Sequence, residues 1–241
     1  MNGVLVVIPV RWGSTRFPGK PLAPLWGKSL LQHVWERAST IEGLGRLVIA
    51  TDDERIAAAG RTFGAEVEMT SVDCASGTDR VAEVARRHPE AALLVNLQGD
   101  EPEVGARAVA RLVAGMRSEP GTRMATLACR EAEAAALASE HVVKLEVDGE
   151  GFALYFTRRW PPRGAAGGEV LRHVGVYGFT RSFLLEFAAW PLGARELAER
   201  LEQLRAVERG VRIRVFLSDG PPASVDTPEQ LAALERRGPG G

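Results

Sequence analysis

The chain has 241 residues, enough for one large domain or a core with a smaller lobe, and at 45% hydrophobic and 25% charged it has the make-up of a folded globular protein. Lys and Arg number 30 against 31 Asp and Glu, so the formal charge is -1 and nothing global draws the chain to nucleic acid or to an anionic membrane; any anion site must be local. No apolar run approaches the ~18 residues of a membrane span, the opening residues lack a basic leader pattern, and Cys74 and Cys129 stand in no metal-like spacing. The expectations are no membrane insertion, a reducing cytoplasmic setting and a small-molecule partner in place of a polynucleotide.

In chain order, Val4-Leu5-Val6-Val7-Ile8 is β-branched and uncharged and predicts a strand buried on both faces, ended by Pro9. A basic loop follows with Arg11, Arg16 and Lys20, at the strand end where open α/β sheets bind ligands. It carries neither GxxxxGK[ST] nor GxGxxG, so it is neither a Walker A loop nor a dinucleotide fingerprint. Ser29 is placed to cap a helix over 30–38, whose apolar residues recur at helical spacing. Further strands are predicted at 47–51, 67–69 and 92–97, and helices at 53–62, 79–88 and 106–116. This alternation is that of a mostly parallel sheet covered by helices. A strand at 124–128 and a helix at 131–137 come next. The middle then changes character, with strands at 142–147, 153–157 and 174–179 joined by Gly-rich connections, which reads as an inserted antiparallel lobe or edge. Helices at 181–188 and 196–208, a strand at 212–216 and a helix at 228–237 complete the chain.

Two acidic pairs end apolar strands, Asp52-Asp53 and Asp100-Glu101, and in a parallel sheet both ends face the side of the basic loop. Asp100 is the stronger candidate, between Gly99, which permits close backbone approach, and Pro102; an acid facing cations has a use if hydrated Mg²⁺ bridges it to phosphate oxygens. Asp52 reads equally well as an Asx turn. Asp226 stands in a helix start, Val225-Asp226-Thr227-Pro228, where either Asp226 or Thr227 suits the cap; it joins a metal site only if the fold returns it beside Asp100. Ser76-Gly77-Thr78 with Arg80 fits a helix cap or a nucleotide contact. Arg158 follows a strand and suits a carboxylate held side-on, and His173 and Tyr177 share a strand face.

The segments IPVRWGSTRFPGKPL, ATDDE, SGTDR, VNLQGDEP, ALYFTR, RHVGVYGF, LEQLR and VDTPEQL occur in this order over almost the whole chain. Together they resemble the 3-deoxy-manno-octulosonate cytidylyltransferases. The resemblance implies a three-layer α/β sandwich with a mostly parallel mixed central sheet, of glycosyltransferase-A-like nucleotidyltransferase fold. It implies a single domain over 1–241, whose middle lobe at about 142–180 contributes sugar-acid and dimer contacts in a homodimer. The implied reaction is transfer of CMP from CTP to the anomeric hydroxyl of a 2-keto-3-deoxy sugar acid with release of pyrophosphate, a step of lipopolysaccharide biosynthesis. By the family's motifs, Arg11, Ser14, Arg16 and Lys20 match the triphosphate loop, and Ser76, Gly77 and Arg80 the nucleotide side. Asp100 and Asp226 match the Mg²⁺ carboxylates, and Arg11, Arg16, Lys20 and the two aspartates form the implied catalytic set. Gln98, Arg158, His173, Tyr177, Glu202 and Gln203 match sugar-acid contacts. The chain departs from the family pattern at Ser139-Glu140-His141, at Gly193-Ala194-Arg195-Glu196 and at Ser224, which leaves a related ulosonic acid as the alternative acceptor. A nucleotide-binding regulatory protein is the alternative of a different class.

Overall fold

A computed structural model of the chain describes residues 3–13, 17–131, 134–159 and 169–238. It divides into two compact units, Met1–Ala110 with Pro222–Gly241, and Arg111–Pro221. In the first, β1 (Val4–Val10) pairs in parallel with both β4 (Arg46–Thr51) and β6 (Leu93–Asn96), after a short hairpin of β2 (Pro24–Leu25) and β3 (Lys28–Ser29). β5 (Glu66–Met69) extends the sheet beyond β4, giving the parallel order β6-β1-β4-β5. All seven residues of β1 are buried, as expected of a strand covered on both faces.

Pro9 does not end β1; the strand runs on to Val10. The carbonyl of Val7 accepts from Leu97 N, so alternate residues of β1 turn their backbone toward β6, and that ladder stops at Val7 and Asn96. At Pro9 nothing on that side asks for the missing N–H, so the proline costs no ladder bond.

Ser29 accepts from Gln32 N ahead of α1 (Leu30–Ser39), and Asp53 from Arg55 N ahead of α2 (Glu54–Thr62). Ser76 forms a reciprocal capping box with Asp79 at the start of α3 (Gly77–Arg87). Of these helices, α1 starts where its cap predicts, α2 one residue after the expected 53, and α3 two residues before the expected 79. The last of the unit's first-half helices, α4 (Ala106–Ser118), carries the chain into the second unit.

There, β7 (Met124–Cys129) is followed by the short α5 (Ala134–Ala138). The antiparallel lobe is present: β8 (Lys144–Val147) pairs with β9 (Ala153–Thr157) and with β10 (Leu171–Thr180), and β10 pairs antiparallel with β7. β10 bulges between Val174 and Tyr177, where Thr126 Oγ1 donates to the carbonyl of Val176 at 2.8 Å.

After α6 (Arg181–Ala189), the helix expected over 196–208 is two helices, α7 (Ala194–Glu199) and α8 (Leu204–Glu208), separated by Arg200 in the left-handed region at φ 54°. Arg205 binds the carboxylate of Glu196 through Nε at 2.8 Å and Nη2 at 2.5 Å, with both side chains buried. In one straight helix those residues would stand about 13.5 Å apart along the axis. The chain therefore turns back at 200–203 to close the pair and to bury Leu201 and Leu204. β11 (Ile213–Leu217) then adds in parallel to β7.

Finally α9 (Pro228–Arg237), capped by Thr227, returns to the first unit. Leu231 and Leu234 of α9 and the preceding Val225 form an apolar cluster with Leu25 and Leu30. Mixed, mostly parallel sheet with flanking helices is the α/β architecture expected from the sequence. Among the described residues no helix is long and apolar enough to cross a membrane.

Candidate active site

The first unit holds a cleft of about 320 Å³ lined by the ends of β1 and β6, the start of α3 and the segment before α9. Lys20 is its electrostatic centre. Gly19 takes φ 73°, a left-handed conformation that a side chain would strain, and so turns the basic loop into a 3₁₀ turn at Lys20–Leu22. The Lys20 ammonium donates to Asp100 Oδ2 at 2.6 Å and to the Val225 carbonyl at 2.9 Å, and stands 3.6 Å from Asp226 Oδ1. One cation thus bridges two carboxylates that lie 126 positions apart in the sequence (226 minus 100).

Burial of Val225, which is 0% exposed, makes this possible. Its side chain is fixed in the apolar cluster under α9, and its N–H donates to the carbonyl of Asp100 at 3.0 Å, which presents the next residue, Asp226, to the cleft. Thr227 caps α9, its side chain accepting from Gln230 N, and Asp226 lines the cleft. Gly99 lines the cleft and has a second use as well. A Cβ there would lie 2.2 Å from Val10 Cγ1, so the missing side chain lets the Asp100 turn pack on β1.

Arg11 borders the same cleft with an exposed side chain, as do Ser76, Gly77, Arg80 and the half-buried Gln98. Arg80 is 3% exposed and donates to Asp52 Oδ2 at 2.8 Å, so its charge is answered within the protein, and Asp52 is its partner in place of an Asx turn. The Ser76 hydroxyl accepts from Asp79 N and donates to Asp79 Oδ2. Ser14 and Arg16 lie outside the described residues. Sequence reasoning missed Cys74, which also lines the cleft; burial and then a hydrogen bond to Glu83 raise its thiol to about 11, leaving it neutral. No spacing in the sequence pointed to it.

The other candidates sit in the second unit. His173 and Tyr177 do share a face of β10, with ring centroids 5.4 Å apart. Burial first, and the nearby Arg158 cation second, push the His173 imidazole down to about 3. Because the Thr126 hydroxyl donates to Val176, it accepts from His173 Nε2–H at 2.9 Å, and the network assigns a neutral ring protonated at Nε2. Arg158 Nη1 donates to the carbonyls of Glu140 and His141 at 3.2 and 3.3 Å. Glu202 and Gln203 occupy the turn between α7 and α8, where Gln203 is buried and Glu202 approaches Arg205 Nη2 at 3.5 Å.

An NMR titration is expected to find the His173 ring signals flat from pH 5 to 8, identified by their loss in His173→Gln. The sign of the linked stability follows: an unfolded histidine binds a proton near its ordinary value of 6.5, whereas the folded one does not, so this group lowers stability as pH falls through 6.5. A His173 signal titrating near neutrality would show that this half-buried ring is better solvated than its packing implies.

Residues 5–213 match the family described as Cytidylyltransferase. The chain is 46% identical over 241 residues to the 3-deoxy-manno-octulosonate cytidylyltransferase of Geobacter sulfurreducens, covering 95% of this chain and 96% of that one. It is 44% identical over 239 residues to the 8-amino-3,8-dideoxy-manno-octulosonate cytidylyltransferase of Shewanella sp. strain ANA-3, covering 97% and 98%. A solved structure of CMP:2-keto-3-deoxy-manno-octonic acid synthetase complexed with CTP superposes with a TM-score of 0.91 at 42% identity, covering 97% of both chains.

Proposed function

The chain belongs to the cytidylyltransferase family and is a nucleotidyltransferase, and from that premise we propose that it transfers CMP from CTP to the anomeric hydroxyl of 3-deoxy-manno-octulosonate, releasing pyrophosphate. The observation that carries this reading is Lys20 held between Asp100 and Asp226 in a cleft that Arg11 also borders. In the reaction the hydroxyl oxygen bonds to the α-phosphorus, the bond from that phosphorus to the bridging oxygen breaks, and the proton leaves the hydroxyl for solvent. Negative charge gathers on the departing pyrophosphate, where Lys20 and Arg11 are placed to answer it. Fixed positions for both reactants add the advantage of orientation.

The carboxylate pair fits Mg²⁺, which favours hard oxygen donors and takes one or two carboxylates plus phosphate oxygens and water. Asp100 and Asp226 would hold the ion, which would supply positive charge to the phosphates. Gln98, Arg158, His173, Tyr177, Glu202 and Gln203 are assigned to the sugar acid, with Arg158 taking its carboxylate. We assign the same protein to the cytosol as a homodimer, the latter measurable by sedimentation.

The test is an assay with Mg²⁺, each of four nucleoside triphosphates, and 3-deoxy-manno-octulosonate beside its 8-amino-3,8-dideoxy analogue. CTP with 3-deoxy-manno-octulosonate is expected to release pyrophosphate and give a product of the mass of the CMP-sugar. Reaction only with the 8-amino sugar would move the acceptor assignment to that compound. Absence of pyrophosphate release with every pair would favour a regulatory nucleotide-binding protein.

A further inference from the structure

Lys144 is a buried cation that the reaction as described leaves unused. It is 0% exposed at the start of β8, and its ammonium donates to three backbone carbonyls: Ser139 at 2.7 Å, Val142 at 2.9 Å and Arg158 at 2.5 Å. Those three bonds use every hydrogen the ammonium has. Burying a lysine costs free energy, and an apolar side chain of similar length would remove that cost. What it could not do is bind the carbonyls.

The carbonyls belong to one arrangement. Ser139 and Val142 accept from Lys144, while Glu140 and His141, between them, accept from Nη1 of Arg158. Four consecutive carbonyls are therefore divided between two cations, and the third Lys144 bond goes to the backbone of Arg158 itself. The sheet fixes the anchor: Lys144 is in register with Thr157 of β9, the residue before Arg158, and with Arg172 of β10, next to His173. Among the described residues, Nε and Nη2 of Arg158 have no partner. That is the edge from which a guanidinium presents two parallel N–H groups to a carboxylate.

We propose that Lys144 is a positioning residue for the acceptor's carboxylate, fastening segment 139–142 and the backbone of Arg158 so that the guanidinium is held by Nη1 and keeps its Nε–Nη2 edge for the ligand. This rests on the reading above that Arg158 binds the sugar acid. A fixed loop beneath Arg158 lowers the ordering cost of a side chain with many rotamers when the ligand binds.

The experiment compares Lys144→Met, Arg158→Met and the double variant in the full chain, with 3-deoxy-manno-octulosonate as the acceptor, and reads kcat together with separate KM values for the sugar acid and for CTP. Each single variant is expected to raise the sugar-acid KM about tenfold or more, the loss for a hydrogen bond to a charged group. The CTP KM is expected to stay within about twofold, since the nucleotide cleft does not include these residues. If Lys144 acts through Arg158, the double variant is no worse than Arg158→Met alone. An unchanged sugar-acid KM in Lys144→Met, with a raised one in Arg158→Met, removes the role of Lys144 and leaves the reading of Arg158 intact. An unchanged KM in Arg158→Met removes that reading and the proposal with it. Effects that multiply in the double variant also overturn the proposal. Should Lys144→Met not fold, Lys144→Arg keeps the charge and donors on a longer head; a sugar-acid KM raised several-fold at constant CTP KM is expected, and a parallel rise in both overturns the proposal.

Discussion

Asp100→Asn is expected to lower kcat with CTP and the sugar acid by about a hundredfold or more at saturating Mg²⁺, with a melting temperature within about 4 °C of the parent. The first half follows from what the substitution removes: one of the two carboxylates assigned to the ion, at the point where charge on the triphosphate must be answered. The second half follows from the surroundings. Lys20 retains the Val225 carbonyl at 2.9 Å and Asp226 at 3.6 Å, and the Asp100 carbonyl still accepts from Val225 N. Asn is nearly the same size, so the packing of Gly99 on Val10 is undisturbed. Pyrophosphate release and calorimetric melting together check the result. Near-parental turnover would take Asp100 out of the metal site. A collapse in melting temperature would recast it as structural.

Glu196→Ala should produce the largest loss of stability, about 3–5 kcal/mol, because it removes the carboxylate that accepts two hydrogen bonds from Arg205, 4% exposed, and leaves that buried charge with Glu202 at the longer 3.5 Å. Burial by itself would raise the Glu196 carboxyl; the hydrogen bonds from Arg205 and from Gly193 N–H outweigh it and hold the group below its ordinary 4.5. A depressed carboxyl stabilises fully above the unfolded value and loses that contribution as pH falls through the lower, folded value. The difference in melting temperature between parent and Glu196→Ala should therefore shrink on acidification below about 4.5. Glu196→Met combined with Arg205→Met is expected to recover much of the loss, since a buried pair replaced as a whole by apolar groups is often near neutral. A single-variant melting shift of only a degree or two would show that the pair is not fully desolvated in solution. Because Glu202 and Gln203 lie in the turn this pair closes, Glu196→Ala is also expected to raise the sugar-acid KM at temperatures where it remains folded.

The sequence by itself determined the features that depend on a few neighbouring residues. The apolar β-branched runs became β1, β4 and β6, and Ser29 caps the helix it precedes. A cap hydrogen bond spans two or three residues and a strand's burial is written into its own side chains, so both are readable locally. The eight quoted motifs reached further and identified the family. Where the local reading slipped, a distant partner was the cause: Pro9 stays in its strand because the β6 ladder ends before it, and the helix over 196–208 breaks because Arg205 must reach Glu196.

Only the tertiary structure decided whether Asp226 caps a helix or faces Asp100. Its own neighbours fit either use, and the choice was made by Val225, buried against Leu25 and Leu30 from the other end of the chain. The same holds for Arg80, whose partner is Asp52, and for Lys144, whose four-carbon stem and charge carry no sign in the sequence of the carbonyls they meet. Charges and single apolar side chains have no periodicity. Their roles are fixed when burial forces each to find a counterpart, and that counterpart is chosen by the fold.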